Sequence, residues 1–394
     1  MSTTEVVILS GSRTPQGRVN GQFAALSAVQ LGTIAIRDAI EKSGVDVNDI
    51  DAVLMGQVLQ AGAGQNPAKQ SAVAAGIPWR VPAMTLNKVC LSGLAAVIDA
   101  ARLIRLGEAS VVVAGGQESM TNAPHLLPGS RRGWAYGEVT MIDHAAYDGL
   151  TDAFDGISMG ASTEQHNSRL GITRAEQDEV AAASHQRAGA AAAAGVFDVE
   201  IAPVAVPQRK GDPVIVSADE GVRPGSTVET LGSLRPAFSG DGTITAGNSS
   251  PLSDGASALV VASRDYADAH GLEWLAIVEA SGHVAGPDNS LHSQPSNAIA
   301  AALARQGWTA SDLDIVEINE AFAAVAVEST RELGLAPDVV NIHGGAIAVG
   351  HPIGASGARL ALHAAHELAR RGSGRAAVAL CGGGGQGDAL LLSR

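Results

Sequence analysis

The chain of 394 residues has two cysteines, and the segment around one of them favours nucleophilic chemistry. Cys90 lies in NKVCLSGLAAV (87–97), where an extended segment is predicted to turn into a helix of small residues. The amino end of a helix carries partial positive charge and unpaired N–H groups, and both favour a thiolate. We therefore expect a reactive Cys90. The alternative is a small, inert, buried residue, which is the usual fate of a free cysteine.

A histidine in a glycine-rich run is the candidate partner of this thiol. The run NIHGGAIAVGHPIGASGAR (341–359) places His351 near the start of a second predicted helix. An imidazole beside a thiol is the ordinary way to make a reactive thiolate near neutral pH. A tight turn without a catalytic role is the alternative reading of GHPIG.

The second cysteine opens another glycine-rich run at the predicted end of a strand. Cys381 begins CGGGGQG (381–387), whose glycines would bring backbone N–H groups close to a reacting carbonyl. A phosphate-binding loop is a rival, but the Lys-Ser/Thr of a P-loop is missing and no helical pattern follows. An inert Cys381 within a strand also stays open.

Two further segments carry polar residues that bear on the chemistry. NEAFAAV (319–325) directly follows the predicted strand DIVEI, so Asn319 could hold a water or an oxyanion and Glu320 could orient a neighbour. Asn319 is equally well suited to cap the amino end of a helix. The sequence HAAH (363–366) is interpreted as ordinary helix surface. We predict no metal site.

An internal repeat explains how these distant residues could meet. GVDVNDIDAV (44–53) matches GWTASDLDIV (307–316) at a spacing of 263, and the helical stretches that begin at Ser92 and Ser356 match at 264. Several matches in order at a nearly constant offset indicate two similar units. We infer an α/β fold of two duplicated βαβαβ-type halves with mixed sheets. The repeat places the Cys90 and His351 segments at equivalent helix ends.

The segment between the two halves has a different composition. It holds proline- and glycine-rich turns and an alanine-rich helix, and it matches nothing in the second half. Long insertions on a rigid scaffold commonly build the substrate site. We divide the chain into an N-terminal half (residues 1–119 and 251–273), an inserted loop domain (120–250) and a C-terminal half (274–394).

Charge and hydropathy exclude several classes of partner. The formal net charge of −14 argues against nucleic acid or an anionic membrane surface as the main partner. An anionic small molecule stays open, because a few local cationic groups and helix amino ends can bind one. No apolar run is long enough to span a bilayer, and no secretory signal is evident. We expect a cytoplasmic protein with free thiols.

Four motifs together resemble the thiolase family: NKVCLSG, GGQESMT, GGAIAVGHPIGASG and CGGGGQG. The resemblance runs from VVILSGSRTPQGR to the final strand and is greatest to bacterial short-chain members. It implies a layered α-β-α-β-α core and acetyl-CoA C-acetyltransferase activity. Such an enzyme condenses two acetyl-CoA to acetoacetyl-CoA plus CoA, or catalyses the reverse thiolysis, by a ping-pong route. Coenzyme A thioesters would be substrates, with no tightly bound cofactor, and the assembly would be a homotetramer built from dimers.

The resemblance also implies a role for each candidate residue. Cys90 would accept the acyl group, and His351 would take its proton. Cys381 would deprotonate the methyl group of the second acetyl-CoA. Asn319 would fix a water that forms one oxyanion hole with His351, and the N–H groups of Cys90 and Gly383 would form the other.

Residues of the insertion and of the NEAF segment would line CoA or the acyl group. By resemblance these are Leu150, Met159, Arg223, Ala246, Ser250, Ala321 and Phe322, with Ser250 on the pantetheine and Met159 shortening the acyl pocket. The sequence departs from the short-chain pattern at Ser158, where His is common, and at His343, where Asn is common. It also has HSQPSNA (292–298) in place of a GPIPA-like segment. These departures bear on acyl chain length and on tolerance of a 2-methyl group.

Three other functions stay open at this point. A broader-range 3-ketoacyl-CoA thiolase of fatty-acid β-oxidation would use the same residues. A decarboxylating ketoacyl synthase usually pairs its cysteine with two histidines, whereas here the third role falls to Cys381. A non-enzymatic lipid or sterol carrier would have no need of both a nucleophile and a base.

Overall fold

The computed structural model describes residues 4–394, in which strands and helices alternate along most of the chain. The strands are β1 Val6–Arg13, β2 Gly17–Arg18, β3 Ala52–Gly56, β4 Ala83–Leu86, β5 Val111–Ser119, β6 His125–Leu126, β7 Ile142–Asp143, β8 Val204–Val206, β9 Val214–Val216, β10 Ser253–Ser263, β11 Ala276–Ala285, β12 Ile315–Ile318, β13 Arg375–Gly382 and β14 Gln386–Ser393. The helices are α1 Ala28–Ser43, α2 Pro67–Ala74, α3 Ser92–Arg105, α4 Met159–Leu170, α5 Arg174–Ala193, α6 Val228–Gly232, α7 Arg264–His270, α8 Gln294–Gln306, α9 Ala323–Leu333, α10 Ala346–Val349 and α11 Ser356–Arg371.

One large mixed sheet joins the two halves of the molecule. Its strand order is β12-β13-β14-β11-β1-β10-β5-β3-β4, with β2 attached to β10. Strand β3 pairs in parallel with β4 and β5, and β12 with β13. The two halves meet at the antiparallel pair β1–β11, whose register covers only Val7↔Ile277 and Ile8↔Ala276. The sheet is therefore two units joined by a narrow seam.

The two units share one topology, which confirms the duplicated α/β fold. The order β3-β5-β10-β1 in the first unit corresponds to β12-β13-β14-β11 in the second. Val340 pairs in parallel with Val316 of β12, as β4 does with β3. Strand β12 begins 263 residues after β3, and α11 begins 264 residues after α3. Each unit is longer than βαβαβ, because a third helix and a further strand also repeat.

Helices α3 and α11 form the middle layer between the two sheet units. One apolar cluster combines both helices with inward side chains of both units, among them Leu54 and Val378. A second cluster packs α1 and α2 on the outer face of the first unit, and a third packs α8 on that of the second. The layers are therefore α-β-α-β-α. No helix within residues 4–394 is long and apolar enough to cross a bilayer.

Two equivalent glycines let the starts of α3 and α11 touch. A Cβ atom on Gly93 would lie 2.9 Å from the backbone nitrogen of Ala358, and one on Gly357 would overlap Leu94. No larger residue fits without moving a helix. This close crossing brings the segment before α3, with Cys90, beside the segment before α11, with His351.

The insertion lies between β5 and β10. It contains the hairpins β6–β7 and β8–β9 and the helices α4, α5 and α6. A buried guanidinium fastens it to the core, because Arg13 of β1 forms ion pairs of 2.7 Å with Glu200 and with Asp219. Strand β10 then returns to pair between β1 and β5. The exact domain limits given above stay a prediction.

Candidate active site

A cavity of about 520 Å³ gathers the candidate reactive groups from both units. Its walls include Cys90, His351, Cys381 and Gly383, together with mostly apolar side chains. Cys90 lies just before α3, His351 between α10 and α11, and Cys381 near the end of β13. The cavity therefore lies where the segments that precede α3 and α11 meet the glycine-rich end of β13.

A strained turn presents Cys90 to the cavity. Residues 87–91, here called the Cys90 turn, contain Val89 at φ +51°, a conformation that β-branched residues rarely adopt and that costs about 1–3 kcal/mol. The surrounding bonds hold it in place. Asn87 Oδ1 accepts from the Val89 N–H at 2.9 Å, while Ser92 Oγ accepts from the Lys88 N–H at 2.8 Å and donates to the Val89 carbonyl at 2.6 Å.

The surroundings of Cys90 favour the neutral thiol. Burial raises its pKa to about 12, and the carboxylate of Glu118 adds to this. The backbone N–H groups of Cys90 and Gly383 act in the opposite direction but are outweighed. The expected preference for thiolate from the helix amino end is therefore wrong for the resting site. The Cys90 thiol must therefore lose its proton when it reacts. The two N–H groups are placed to bind the oxyanion that forms on a carbonyl group attacked by this sulfur.

Hydrogen bonds fix the tautomer of His351. Ser356 Oγ donates to the Pro352 carbonyl at 2.9 Å, so it accepts from His351 Nδ1, which lies 2.6 Å away. The proton is therefore on Nδ1 and the lone pair on Nε2. Burial lowers the pKa of His351 to about 3, and the charge of Arg359 contributes. The ring is neutral at pH 7, with Nε2 ready to accept a proton.

Ser356→Ala should impair proton transfer without unfolding the protein. Loss of the Oγ acceptor frees the His351 ring to turn or change tautomer, and a misplacement near 1 Å costs about 100-fold in rate. For the acetyl-CoA reaction that the resemblance implies, we expect CoA release in the pre-steady state to slow by about 10- to 100-fold.

The matched control is Thr33→Ala, which removes a comparable bond to the carbonyl four residues earlier on α1, far from the cavity. Equal rates in the two variants would contradict the assigned tautomer.

Asn319 lies beside His351 but caps no helix. Its Nδ2 is 3.4 Å from His351 Nε2, and its Oδ1 has no partner among the described protein atoms. Helix α9 begins only at Ala323, with Phe322 at the capping position, so the capping alternative is wrong. The side chain is buried next to the His351 imidazole, where its amide can orient a small polar ligand.

Two buried carboxylates hold the glycine-rich segment that carries His351. Glu320, whose pKa is raised by burial, accepts from the Asn341 side chain at 2.8 Å and from the Ile347 N–H at 3.1 Å. Glu118 accepts from the Gly354 N–H at 3.0 Å and from two N–H groups of residues 58 and 59. The group that Glu320 orients is therefore this glycine-rich segment. Glu118 was missed, although GGQESMT contains it.

The second thiol is fully enclosed. Cys381 faces Gly387 across the β13–β14 hairpin, here called the Cys381 hairpin, and packs with Leu291, Ala321 and Val325. Burial raises the pKa of Cys381, and the nearby thiol of Cys90 adds to this. A thiolate formed there would be a strong base, because its surroundings do nothing to stabilise the charge.

Most of the predicted substrate-binding residues line this cavity. They are Leu150, Met159, Ala246, Ser250, Ala321 and Phe322. Arg223 lines instead an adjoining cavity of about 290 Å³, which shares Arg18 and Ala246 with the first. The sequence did not single out three further wall residues, Arg18, Phe238 and Leu291, although Arg18 ends the segment VVILSGSRTPQGR. Ser158 also lines the main cavity, where its hydroxyl caps helix α4.

The HAAH segment is not helix surface, contrary to prediction. His363 is 3% exposed, and its Nδ1 lies 2.9 Å from Glu200 Oε2, an ion pair that raises its pKa. His343 packs against this ring with Nδ1 3.1 Å from His363 Nε2. The prediction failed because α11 is in the middle layer, so its flanks face protein.

Known proteins match the chain over nearly its whole length. Residues 6–265 match the family model described as "Thiolase, N-terminal domain", and residues 272–394 match "Thiolase, C-terminal domain". The chain is 59% identical over 388 residues to a probable acetyl-CoA acetyltransferase of Mycolicibacterium smegmatis, covering 98% of this chain and 100% of the relative. Acetyl-CoA acetyltransferases of Cupriavidus necator (48% over 391 residues; 99% and 100% covered) and Pseudomonas aeruginosa (49% over 391 residues; 99% of both) are also similar.

Proposed function

The chain belongs to the thiolase family of acyltransferases, and on that premise we propose that it is an acetyl-CoA C-acetyltransferase. It would condense two acetyl-CoA to acetoacetyl-CoA plus CoA, and catalyse the reverse thiolysis, through an acetyl group on Cys90. The observation that carries the proposal is the joint cavity. Two thiols, a neutral imidazole and the Gly383 backbone meet there among apolar walls.

In the first half-reaction Cys90 is the nucleophile. His351 Nε2 takes the thiol proton as the sulfur attacks the thioester carbonyl, since both groups are neutral at rest. The oxyanion is held by the N–H groups of Cys90 and Gly383, which already face the sulfur. The C–S bond to CoA then breaks, and the departing CoA sulfur takes the proton from His351.

In the second half-reaction Cys381 acts as base toward a new acetyl-CoA. The Cys381 thiol first gives its proton to His351 Nε2, and the resulting thiolate then removes a methyl proton while the enolate oxygen is held by the protonated His351 and by a water on Asn319. The carbanion attacks the acetyl carbonyl on Cys90, and the C–S bond to Cys90 breaks. Cys381 keeps the methyl proton, and His351 gives its proton to the departing Cys90 sulfur, so the enzyme is regenerated. The raised pKa of Cys381 supports this role, because a thiolate with a high pKa binds a proton strongly.

The adjoining cavity supports binding of the nucleotide end of CoA. Burial and the charges of Arg223 and Arg18 lower the pKa of His185 there to about 4, which indicates a locally positive potential. Such a potential attracts phosphates in spite of the acidic chain. We assign the phosphates to this cavity and the pantetheine to the main one, whose wall includes Ser250.

An exposed apolar arm supports the proposed homotetramer. Between β6 and β7 the insertion presents Trp134, Tyr136 and Met141 to solvent. Exposed aromatic side chains grouped in this way mark protein contacts. A second copy of the chain is the proposed partner.

Thiolysis of 3-ketoacyl-CoA esters of four, six and eight carbons tests the proposal. We expect the highest kcat/KM for acetoacetyl-CoA, because Met159, Leu291 and Phe322 pack around Cys381 and limit the acyl space. Acetyl-CoA alone should yield acetoacetyl-CoA. An eight-carbon substrate cleaved as fast as the four-carbon one would assign the broader thiolase instead. A strict requirement for malonyl-thioester with release of CO₂ would contradict both.

A further inference from the structure

A buried ion pair joins the Cys90 turn to the Cys381 hairpin. Lys88 Nζ lies 2.7 Å from each carboxylate oxygen of Asp388. The Asp388 side chain is 0% exposed, and that of Lys88 is 32% exposed. Lys88 precedes Cys90 by two residues, and Asp388 faces Leu380, the neighbour of Cys381, across the hairpin. The pair therefore connects the two segments that carry the thiols.

Asp388 is anchored independently of Lys88. His283 Nδ1 on β11 lies 2.7 Å from Asp388 Oδ1, and His283 Nε2 lies 2.6 Å from Arg102 Nη2 on α3. Because a guanidinium only donates, Nε2 accepts and Nδ1 carries the proton that binds Asp388. Asp388 therefore accepts from both His283 and Lys88. Asp388 is a fixed point to which the Cys90 turn is attached.

Apart from the Gly383 N–H that faces the Cys90 sulfur, which is itself one of the contacts to be placed, the other contacts between the turn and the hairpin give little directional control. A Cβ atom on Gly382 would lie 2.7 Å from Leu91 Cγ, and one on Gly383 3.5 Å from Val89 Cγ1. These are apolar side chains lying on glycine backbone, and such contacts are non-directional. A charge-assisted bond is directional and short. The ion pair is thus the contact that fixes how the turn is placed along the hairpin.

We propose that Lys88 and Asp388 are positioning residues that set the separation between Cys90 and the groups it works with on the hairpin, the Cys381 thiol and the Gly383 N–H. The inference rests on the proposed function, because it deepens the account of the same site. Lys88 is not among the described residues that line the main cavity. The ion pair therefore affects kcat through the position of Cys90 and leaves substrate binding unchanged.

The test compares the double variant Lys88→Met/Asp388→Asn with wild type. Removing both charges avoids a lone buried charge, and the asparagine oxygen still accepts from His283. We expect kcat for condensation to fall at least about tenfold, since small misplacements of reacting groups are costly. KM for acetyl-CoA and the melting temperature should stay close to wild type. Lys88→Arg, which keeps the charge, should restore most of the rate.

Lys42→Met is the matched control. Lys42 is also 32% exposed and lies 2.7 Å from a carboxylate, that of Asp38, but on α1 away from the cavity. Its kcat should be unchanged. A wild-type kcat in the double variant, an equal loss in Lys42→Met, or no rescue by Lys88→Arg would overturn the proposal.

A chemical readout separates this proposal from the proposed function. Dibromobimane bridges two thiols that lie close together, and the bridged Cys90–Cys381 product is measured by mass. The double variant should give a lower yield than wild type even if the reaction is not the one proposed. An unchanged yield would overturn the positioning role, whereas wild-type protein that bridges but makes no acetoacetyl-CoA would overturn only the function.

Discussion

Cys90→Ala should abolish turnover, with a loss of about 10⁴-fold or more, because no other group in the cavity can take the acetyl group. Cys381, the other thiol, is fully buried near the end of β13, whereas the oxyanion donors face the Cys90 sulfur. After incubation with acetyl-CoA, intact-mass measurement should show one acetyl group on wild-type protein and none on the variant.

Digestion and fragmentation should place the added mass on Cys90. The alanine variant is expected to melt close to wild type, because Cys90 is only partly buried and its removal leaves no large hole. Wild-type protein that stays unmodified while it makes acetoacetyl-CoA would rule out the covalent route.

Cys381→Ser should separate the two half-reactions. A serine hydroxyl is far harder to deprotonate than a thiol and does not form the anionic base, so condensation should fall by about 10²- to 10⁴-fold, the usual contribution of general acid–base catalysis. Acylation needs only Cys90 and His351 and should stay within a few-fold of wild type. Exchange of labelled CoA into acetyl-CoA measures the first half-reaction alone, and formation of acetoacetyl-CoA measures both.

Cys381→Ala checks this interpretation, because it removes the polar atom from a buried position where a hydroxyl would lack a partner. It should match the serine variant in both assays. Equal loss of exchange and condensation would show that Cys381 serves acylation as well, contrary to the assigned role.

The convergence of the reactive residues could be predicted from the repeat. The matching helices at Ser92 and Ser356 imply a pseudo-twofold arrangement, and Cys90 and His351 stand shortly before the equivalent ends of these helices. The crossing glycines, Gly93 of the first helix and its counterpart in the second, are the physical reason that the prediction succeeds. A repeated pattern carries information about long-range contacts that local propensity lacks.

The electrostatics of the site could not be predicted in the same way. The helix amino end is visible in the sequence, but the burial that raises the pKa of Cys90 depends on walls supplied by distant segments. The exposure of His363 was misjudged for the same reason, since only the stacking of layers shows that α11 is enclosed. Lys88 lies inside NKVCLSG and Asp388 directly follows CGGGGQG, but neither motif shows that two residues 300 positions apart pair.

Strand β10 also constrains how the protein is made. It fills the place between β1 and β5, yet the ribosome produces it only after the whole insertion, since β5 ends at Ser119 and β10 begins at Ser253. Domains usually fold as units during synthesis, at about 5–20 residues per second. Here the first unit must wait with an open sheet edge for many seconds, so nascent chains stalled before Ser253 should be the form that most needs a chaperone.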